Sequence, residues 1–112
     1  MALLIVTAVS EDTIAAPGNN QPNYIIVSVT DTAGIPITGL TVANFKVDAM
    51  IVGPGGALVN ITRVAGGRLP GFYHVDVVPI PGATWRPGVY IFAVAVQDGA
   101  NQGQALASVL LD

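Results

Sequence analysis

The stretch DTAGIPITGLTVANFKV, residues 31–47, contains the end of one predicted β-strand, a turn and the start of the next strand. Asp31 and Gly34 favour a turn, because Asp side chains bond to nearby backbone groups and glycine tolerates positive φ. Pro36 fixes φ at a position where the strand ladder needs no donor. Leu40 is apolar and can anchor the connection to a core. The stretch therefore predicts a β architecture with a fixed crossover, and it contributes no catalytic group.

Segments rich in β-branched residues lie on both sides of this crossover, separated by glycine, proline and asparagine. The predicted strands cover residues 2–9, 23–31, 45–52, 58–64, 72–78, 89–98 and 104–111. The GPGG sequence at 53–56 predicts a hairpin turn. About seven short strands at this spacing are typical of an immunoglobulin-like fold. We therefore predict a single all-β domain over residues 1–112, an immunoglobulin-like antiparallel β-sandwich.

Alternation of side chains along two of these strands predicts which faces form the core. The residues predicted to point inward are Ile25, Val27, Val29, Tyr73, Val75 and Val77. His74 and Asp76 alternate with the second group and are predicted to point away from the core. In the strand VYIFAVAVQD both faces are apolar, which predicts a central strand or one covered by a partner. The final segment ALASVLL is also apolar on both sides. The outer face of these two terminal segments is predicted either to pack against another protein or to be covered by loops or by the first strand.

The composition indicates contact surfaces rather than a nucleic-acid site. Hydrophobic residues make up 52% of the chain and charged residues 10%, against about 25% charged residues in an ordinary soluble domain. A small domain has proportionally more surface to cover, so its apolar residues must either reach the surface as small side chains or be hidden against another subunit. We expect contact surfaces with copies of the chain or with neighbouring domains. The net charge is −3 and the four basic residues are scattered, so no basic stripe exists that could bind nucleic acid.

The opening segment MALLIVTAVSED is apolar but lacks a basic leader region, and its apolar run of about nine residues is too short to span a membrane. We therefore expect a strand, with neither a signal peptide in this chain nor membrane insertion. The chain contains no cysteine, which excludes disulfides and thiolate metal sites.

Two stretches resemble bacterial immunoglobulin-like modules of surface and secreted proteins. The first is carried by Asp31, Gly34, Pro36, Gly39, Leu40, Phe45 and Val47. The second is carried by Pro87, Gly88, Val89, Tyr90, Phe92, Val94, Val96 and Asp98. The resemblance implies a structural or interaction module in a bacterial or viral surface assembly, located outside the cell or at its surface. It also implies that the Tyr90 hydroxyl bonds to a nearby backbone group, as in a tyrosine corner.

The candidates for chemistry are few. His74 and Asp76 share one strand face, but a metal site needs a further ligand and a catalytic triad needs a nucleophile. We therefore predict no enzyme activity, no catalytic residue, no metal site and no cofactor. Carboxylates at Glu11, Asp12, Asp31 and Asp98 could bind calcium if they met at one end of the sandwich, but turn capping is the more common use of such residues.

Trp85 is the only tryptophan and follows a proline-rich loop. An exposed ring would provide an aromatic platform for a glycan or a protein partner, with Arg86, Tyr73 and His74 as further binding residues. A buried ring would instead close one end of the sandwich. A carbohydrate-binding module is therefore the alternative to the protein-interaction module.

Overall fold

A computed structural model describes residues 2–11, 13–51 and 58–111. The predicted GPGG turn and the end of the third predicted strand at Val52 lie outside these residues. The described strands are β1 (Ile5–Ser10), β2 (Asn23–Thr30), β3 (Phe45–Ile51), β4 (Val59–Gly66), β5 (Phe72–Pro79), β6 (Gly88–Asp98) and β7 (Asn101–Leu111). A 3₁₀ turn at Val42–Asn44 precedes β3.

The strands form two antiparallel sheets, which confirms the predicted all-β sandwich class. One sheet has the order β1-β2-β5-β4 and the other has the order β3-β6-β7. In the described part of the chain, no helix has the length and apolar character needed to cross a bilayer.

The core lies between the two sheets, and the predicted inward faces of β2 and β5 are confirmed. Ile25, Val27 and Val29 of β2 are fully buried, whereas the residues between them are half-buried. β5 shows the same alternation, with its inward residues buried and its outward residues more exposed. The alternation of apolar and polar residues along β2 and β5 therefore predicts correctly which side of each strand faces the core.

The facing sheet completes the core with aromatic side chains from β6. Tyr90 and Phe92 are fully buried. The Trp85 ring meets Tyr90 edge-on, with centroids 5.0 Å apart, and lies 6.4 Å from Phe92. Edge-to-face contacts of this kind add to the stabilisation from burial alone.

The crossover is fixed at both of its ends. The Asp31 carboxylate accepts hydrogen bonds from the N–H groups of Ala33 and Ile35 at 2.8 and 2.9 Å, which forms the predicted turn. Further along, the buried Tyr73 hydroxyl donates to the carbonyl oxygen of Ile37 at 2.7 Å and accepts from the N–H of Leu40 at 3.2 Å. A core residue of one sheet therefore holds the loop that leads to the other sheet.

The first strand differs from its prediction at both ends. It was predicted over 2–9, but β1 begins at Ile5, because residues 2–4 run beside β7 instead. The Leu4 N–H donates to the Gln102 carbonyl at 2.8 Å, and the Gln102 N–H donates to the Ala2 carbonyl at 3.1 Å. A side chain at Gly103 would overlap the carbonyl oxygen of Leu4, so this close approach requires glycine there.

The fourth strand also departs from simple alternation. Its register with β5 shifts between Ile61 and Arg63. Val59 is buried, whereas Ile61, two residues further along, is only half-buried. A bulge of this kind interrupts the period of two and is common at sheet edges.

Candidate functional site

Trp85 is buried and therefore closes one end of the sandwich. Its side chain is 1% exposed. The indole Nε1 donates to the carbonyl oxygen of Gln21 at 2.7 Å. Its backbone also bonds to Gly18 and Asn19, so the loop before β2 is tied to the ring. The indole presents no exposed face on which a sugar ring could stack.

The other predicted binding residues do not join Trp85 in one surface. Tyr73 is 4% exposed and uses its hydroxyl within the crossover. His74 follows it on the opposite face of β5 and is partly exposed. Arg86 is exposed in the loop before β6, where its backbone N–H donates to the Tyr90 hydroxyl at 3.0 Å. The structure therefore assembles no aromatic platform from these four residues.

His74 contacts a carboxylate on the outer face of its sheet. Its Nδ1 lies 3.0 Å from Glu11 Oε1, and both side chains are partly exposed. Asp76 lies on the same outer face, opposite Arg63 of β4. Exposed pairs of this kind contribute little to stability. Within residues 2–11, 13–51 and 58–111, no three His, Cys, Asp or Glu residues cluster as a metal site would require.

The carboxylates considered for calcium do not all meet at one end of the sandwich. The Glu11 N–H bonds to the carbonyl of Tyr24, near the start of β2, whereas Asp31 follows the end of that strand. A strand of this length separates its ends by about 25 Å. Asp31 instead caps its own turn, and Asp12 lies outside the described residues.

The largest exposed aliphatic side chains of the three-stranded sheet share its outer face. We call this set the apolar strip; it consists of Val89, Ile91, Ala93, Leu106 and Leu110. Leu106 is 61% exposed and Leu110 is 62% exposed. They lie directly across from Ala93 and Val89, respectively. This is the outer face that the terminal apolar segments predicted, and its two leucines are exposed.

Charged side chains border the apolar strip on its β3 side and are absent from β7. No charged residue occurs from Gly88 to Gln97, or from Asn101 to Leu111. On the same outer face, Asp48 of β3 lies directly across from Ala93, and Lys46 lies 3.8 Å from the Asp48 carboxylate. The outer face of the other sheet carries the ionisable side chains described above. The two outer faces therefore differ in chemistry, and only the face of β6 and β7 has the character of a buried contact.

A groove of about 940 Å³ adjoins one end of this face. Its lining includes Leu3, Ile5, Lys46, Ala95, Gln102 and Gln104. Sequence reasoning missed the groove, because it depends on residues 2–4 crossing to β7. No local signal shows that four separate segments meet there.

Comparison of the chain with protein-family models, curated protein sequences and solved structures returns no significant match.

Proposed function

We propose that this chain is a non-catalytic interaction module that buries the apolar strip against another protein surface. The surface would belong to copies of the chain or to neighbouring domains of a bacterial or viral surface assembly. The observation that carries the proposal is the pair Leu106 and Leu110, both more than half exposed on β7; the outward residues of β6 and β7 carry no charge from Val89 to Ala95 or from Gln102 to Leu110. Exposed apolar groups that lie together on one face are typical of interaction sites.

The gain from covering the two leucines is large enough to influence association. Full burial of a leucine side chain contributes about 1.5–3 kcal/mol. Leu106 and Leu110 are 61% and 62% exposed, respectively, so covering each of them contributes about 1–2 kcal/mol. Together they account for about 2–4 kcal/mol, which corresponds to at least about a thirtyfold change in the dissociation constant.

The immunoglobulin-like arrangement is part of the proposal and rests on strand order. In the constant-type immunoglobulin sandwich, the first, second, fifth and fourth strands form one sheet, and the third, sixth and seventh form the other. The orders β1-β2-β5-β4 and β3-β6-β7 follow this scheme. The hydrogen bond between the Tyr90 hydroxyl and the Arg86 N–H supports it as well, because a tyrosine corner bonds to the backbone a few residues upstream.

The non-catalytic part of the proposal is supported by the surroundings of His74. This imidazole lies on an open sheet face and faces a carboxylate, with neither a hydroxyl partner nor a cleft around it among the described contacts. A general acid or base must lie within hydrogen-bond reach of a bound substrate. His74 is therefore assigned to a surface contact with Glu11.

The test is the association of the chain over a concentration series from about 10 µM to about 1 mM, measured by size exclusion with light scattering. We expect concentration-dependent association that is lost when Leu106 and Leu110 are both replaced by Gln. The matched control replaces Leu58 and Leu69 by Gln; both are 62% exposed but lie outside the apolar strip. Equal loss in both variants would contradict the proposed surface, and a strictly monomeric wild-type chain would remove self-association from it.

A further inference from the structure

A partner that covers Leu106 and Leu110 has to approach the outer face of the three-stranded sheet and not its edge. Residues 2–4 and β1 of the same chain run beside β7, so the edge of this strand is occupied. The inner face of the sheet packs into the core. Both leucines point to the outer side, where they are more than half exposed. The shape of that outer face therefore decides which partner fits it.

Large and small side chains alternate across the outer face of β6 and β7. Three rows of directly opposed residues form its centre: a first row of Ala93 and Leu106, a middle row of Ile91 and Ser108, and a third row of Val89 and Leu110. In the first row the larger side chain belongs to β7, and in the middle row it belongs to β6. In the third row both side chains are apolar, and the one on β7 is larger. The raised and low positions therefore change strand from one row to the next.

We propose that two copies of the chain pack these outer faces together, about a two-fold axis that runs parallel to the strands between β6 and β7. The inference rests on the proposed function and specifies its partner and geometry. The symmetry places β6 of one copy over β7 of the other, so each row faces the same row of the second copy. Leu106 then lies over Ala93 of the second copy, and Ile91 lies over Ser108 of the second copy. Large side chains thus meet small ones, as close packing between two sheets requires.

The face favours a second copy because its shape is complementary to itself. In the first and middle rows, exchanging β6 with β7 exchanges a large side chain for a small one. A two-fold axis perpendicular to the strands, centred on the middle row, would instead place Leu106 against Leu110 and Ser108 against Ser108. Such a contact is crowded at the leucines and leaves a void at the serines, and both effects are destabilising. The sizes of the side chains therefore select the axis parallel to the strands.

The twist of the sheets is compatible with this arrangement. Aligned sheets that pack face to face cross at about 30°. The first and third rows lie about 6.8 Å from the middle row along the strands. At that distance, a crossing angle of about 30° separates facing strands by about 3.5 Å. Because this is less than the strand spacing of about 4.8 Å, each row still faces its counterpart in the second copy.

The charged side chains of this sheet select the same axis. Lys46 and Asp48 belong to β3, which lies beside β6 and away from β7, and both side chains are more than half exposed. An axis centred over β6 would place them against β7 of the second copy and remove them from water, which is costly for charged groups. An axis between β6 and β7 leaves them at the border of the contact. Interfaces of proteins have this distribution, with an apolar centre and a polar rim.

The size of the contact predicts a weak dimer. The two strands together are about 9.6 Å wide, and residues 89–97 span about 30 Å. The flat footprint is thus about 290 Å² per copy, well below the roughly 800 Å² of a standard stable interface. We expect a dissociation constant between about 0.1 mM and about 1 mM. About half to four-fifths of the chains are then dimeric at a concentration of about 1 mM.

Isotope-filtered NOE spectra of the wild-type chain test the facing pairs directly. A mixture of ¹³C-labelled and unlabelled chains at about 1 mM total concentration reports only contacts between different copies. We expect contacts between the methyl groups of Leu106 and Ala93. The methyl groups of Leu58 and Leu69 are equally exposed but lie outside the apolar strip. They are the internal controls and should show no contact between copies.

A pair of charge substitutions tests the register by light scattering. Ala93→Lys and Leu106→Glu each bury an unpaired charge in a homodimer, so neither variant should self-associate at about 1 mM. In a mixture of the two variants, the introduced ammonium faces the introduced carboxylate, and the other facing pair keeps its native alanine and leucine. The mixture should therefore form a heterodimer with a dissociation constant within about tenfold of the wild-type value. The matched control mixes Ala93→Lys with Leu110→Glu, whose charges lie in different rows, and should remain monomeric.

The outcomes separate this inference from the proposed function. Association that depends on Leu106 and Leu110, without contacts between Leu106 and Ala93 of different copies, would overturn this dimer while retaining the apolar strip as a contact surface. A wild-type chain that stays monomeric at about 1 mM would overturn the second copy as the partner but not burial against a neighbouring domain. Equal association in the control mixture would overturn the proposed register. Contacts between Leu106 and Ala93, together with a heterodimer only in the first mixture, support the dimer.

Discussion

Replacing Trp85 with alanine tests whether the indole is a core residue, as the structure shows, or an available binding surface. The side chain is 1% exposed, donates a hydrogen bond to Gln21, and meets Tyr90 edge-on. Deletion of a buried tryptophan costs about 3–5 kcal/mol, including the cavity left behind. A domain of 112 residues has a free energy of unfolding of about 6–17 kcal/mol. The variant should therefore lose a large part of its stability.

The assay is urea unfolding followed by far-ultraviolet circular dichroism, since the variant lacks the fluorescent indole. Each kcal/mol corresponds to about 4 °C in Tm, so thermal unfolding should show a decrease of about 12–20 °C. Arg86→Ala, at the exposed neighbouring position, is the control and should stay within about 0.5 kcal/mol of the wild type. A loss of less than about 1 kcal/mol in Trp85→Ala would refute the core assignment and make the exposed aromatic platform plausible again.

Three further substitutions test individual contacts by urea unfolding. Gly103→Ala introduces a methyl group against the Leu4 carbonyl and should cost about 1–3 kcal/mol; an unchanged midpoint would contradict the close approach. Tyr73→Phe removes the hydroxyl that holds the crossover and should cost about 1–3 kcal/mol; a neutral result would show that the loop is held by other contacts. His74→Ala breaks the exposed pair with Glu11 and should cost less than about 1 kcal/mol; a larger loss would indicate a buried role.

Regular alternation was sufficient to predict the central elements. From Ile25 to Val29 in β2 and from Tyr73 to Val77 in β5, every second residue is β-branched or aromatic, and these residues are buried between the sheets. The reason is that a slip of one residue would move the whole apolar set to the outer face, so the pattern itself encodes the orientation. The all-β class follows from the same signal.

Contacts between residues far apart in the chain could not be predicted from the sequence. The departure of residues 2–4 toward β7 depends on Gly103, about a hundred residues away, and no local pattern connects the two segments. The order of the strands in each sheet also depends on contacts between distant segments, because pairing is decided in the assembled sheets and not by the local propensity of each strand. The register shift at Ile61 is a local departure that an alternating pattern does not reveal.

The candidate surfaces were predictable in part. The apolar character of β6 and β7 on both faces indicated an outer contact surface, and the structure places Leu106 and Leu110 there. The role of Trp85 could not be predicted, because a single aromatic residue in a loop gives no sign of whether its side chain points into the core. Its partners Gln21 and Tyr90 come from distant segments, so only the assembled chain decides its role.

A dilution series of ¹H–¹⁵N NMR spectra of the wild-type chain tests the central claim, that the uncharged side of β6 and β7 is where this protein meets other proteins. Between about 1 mM and about 10 µM, we expect resonance shifts concentrated at Val89, Ala93, Leu106, Ser108 and Leu110. Shifts centred on the charged outer face of the other sheet would contradict the claim, and spectra that are independent of concentration would remove self-association from it.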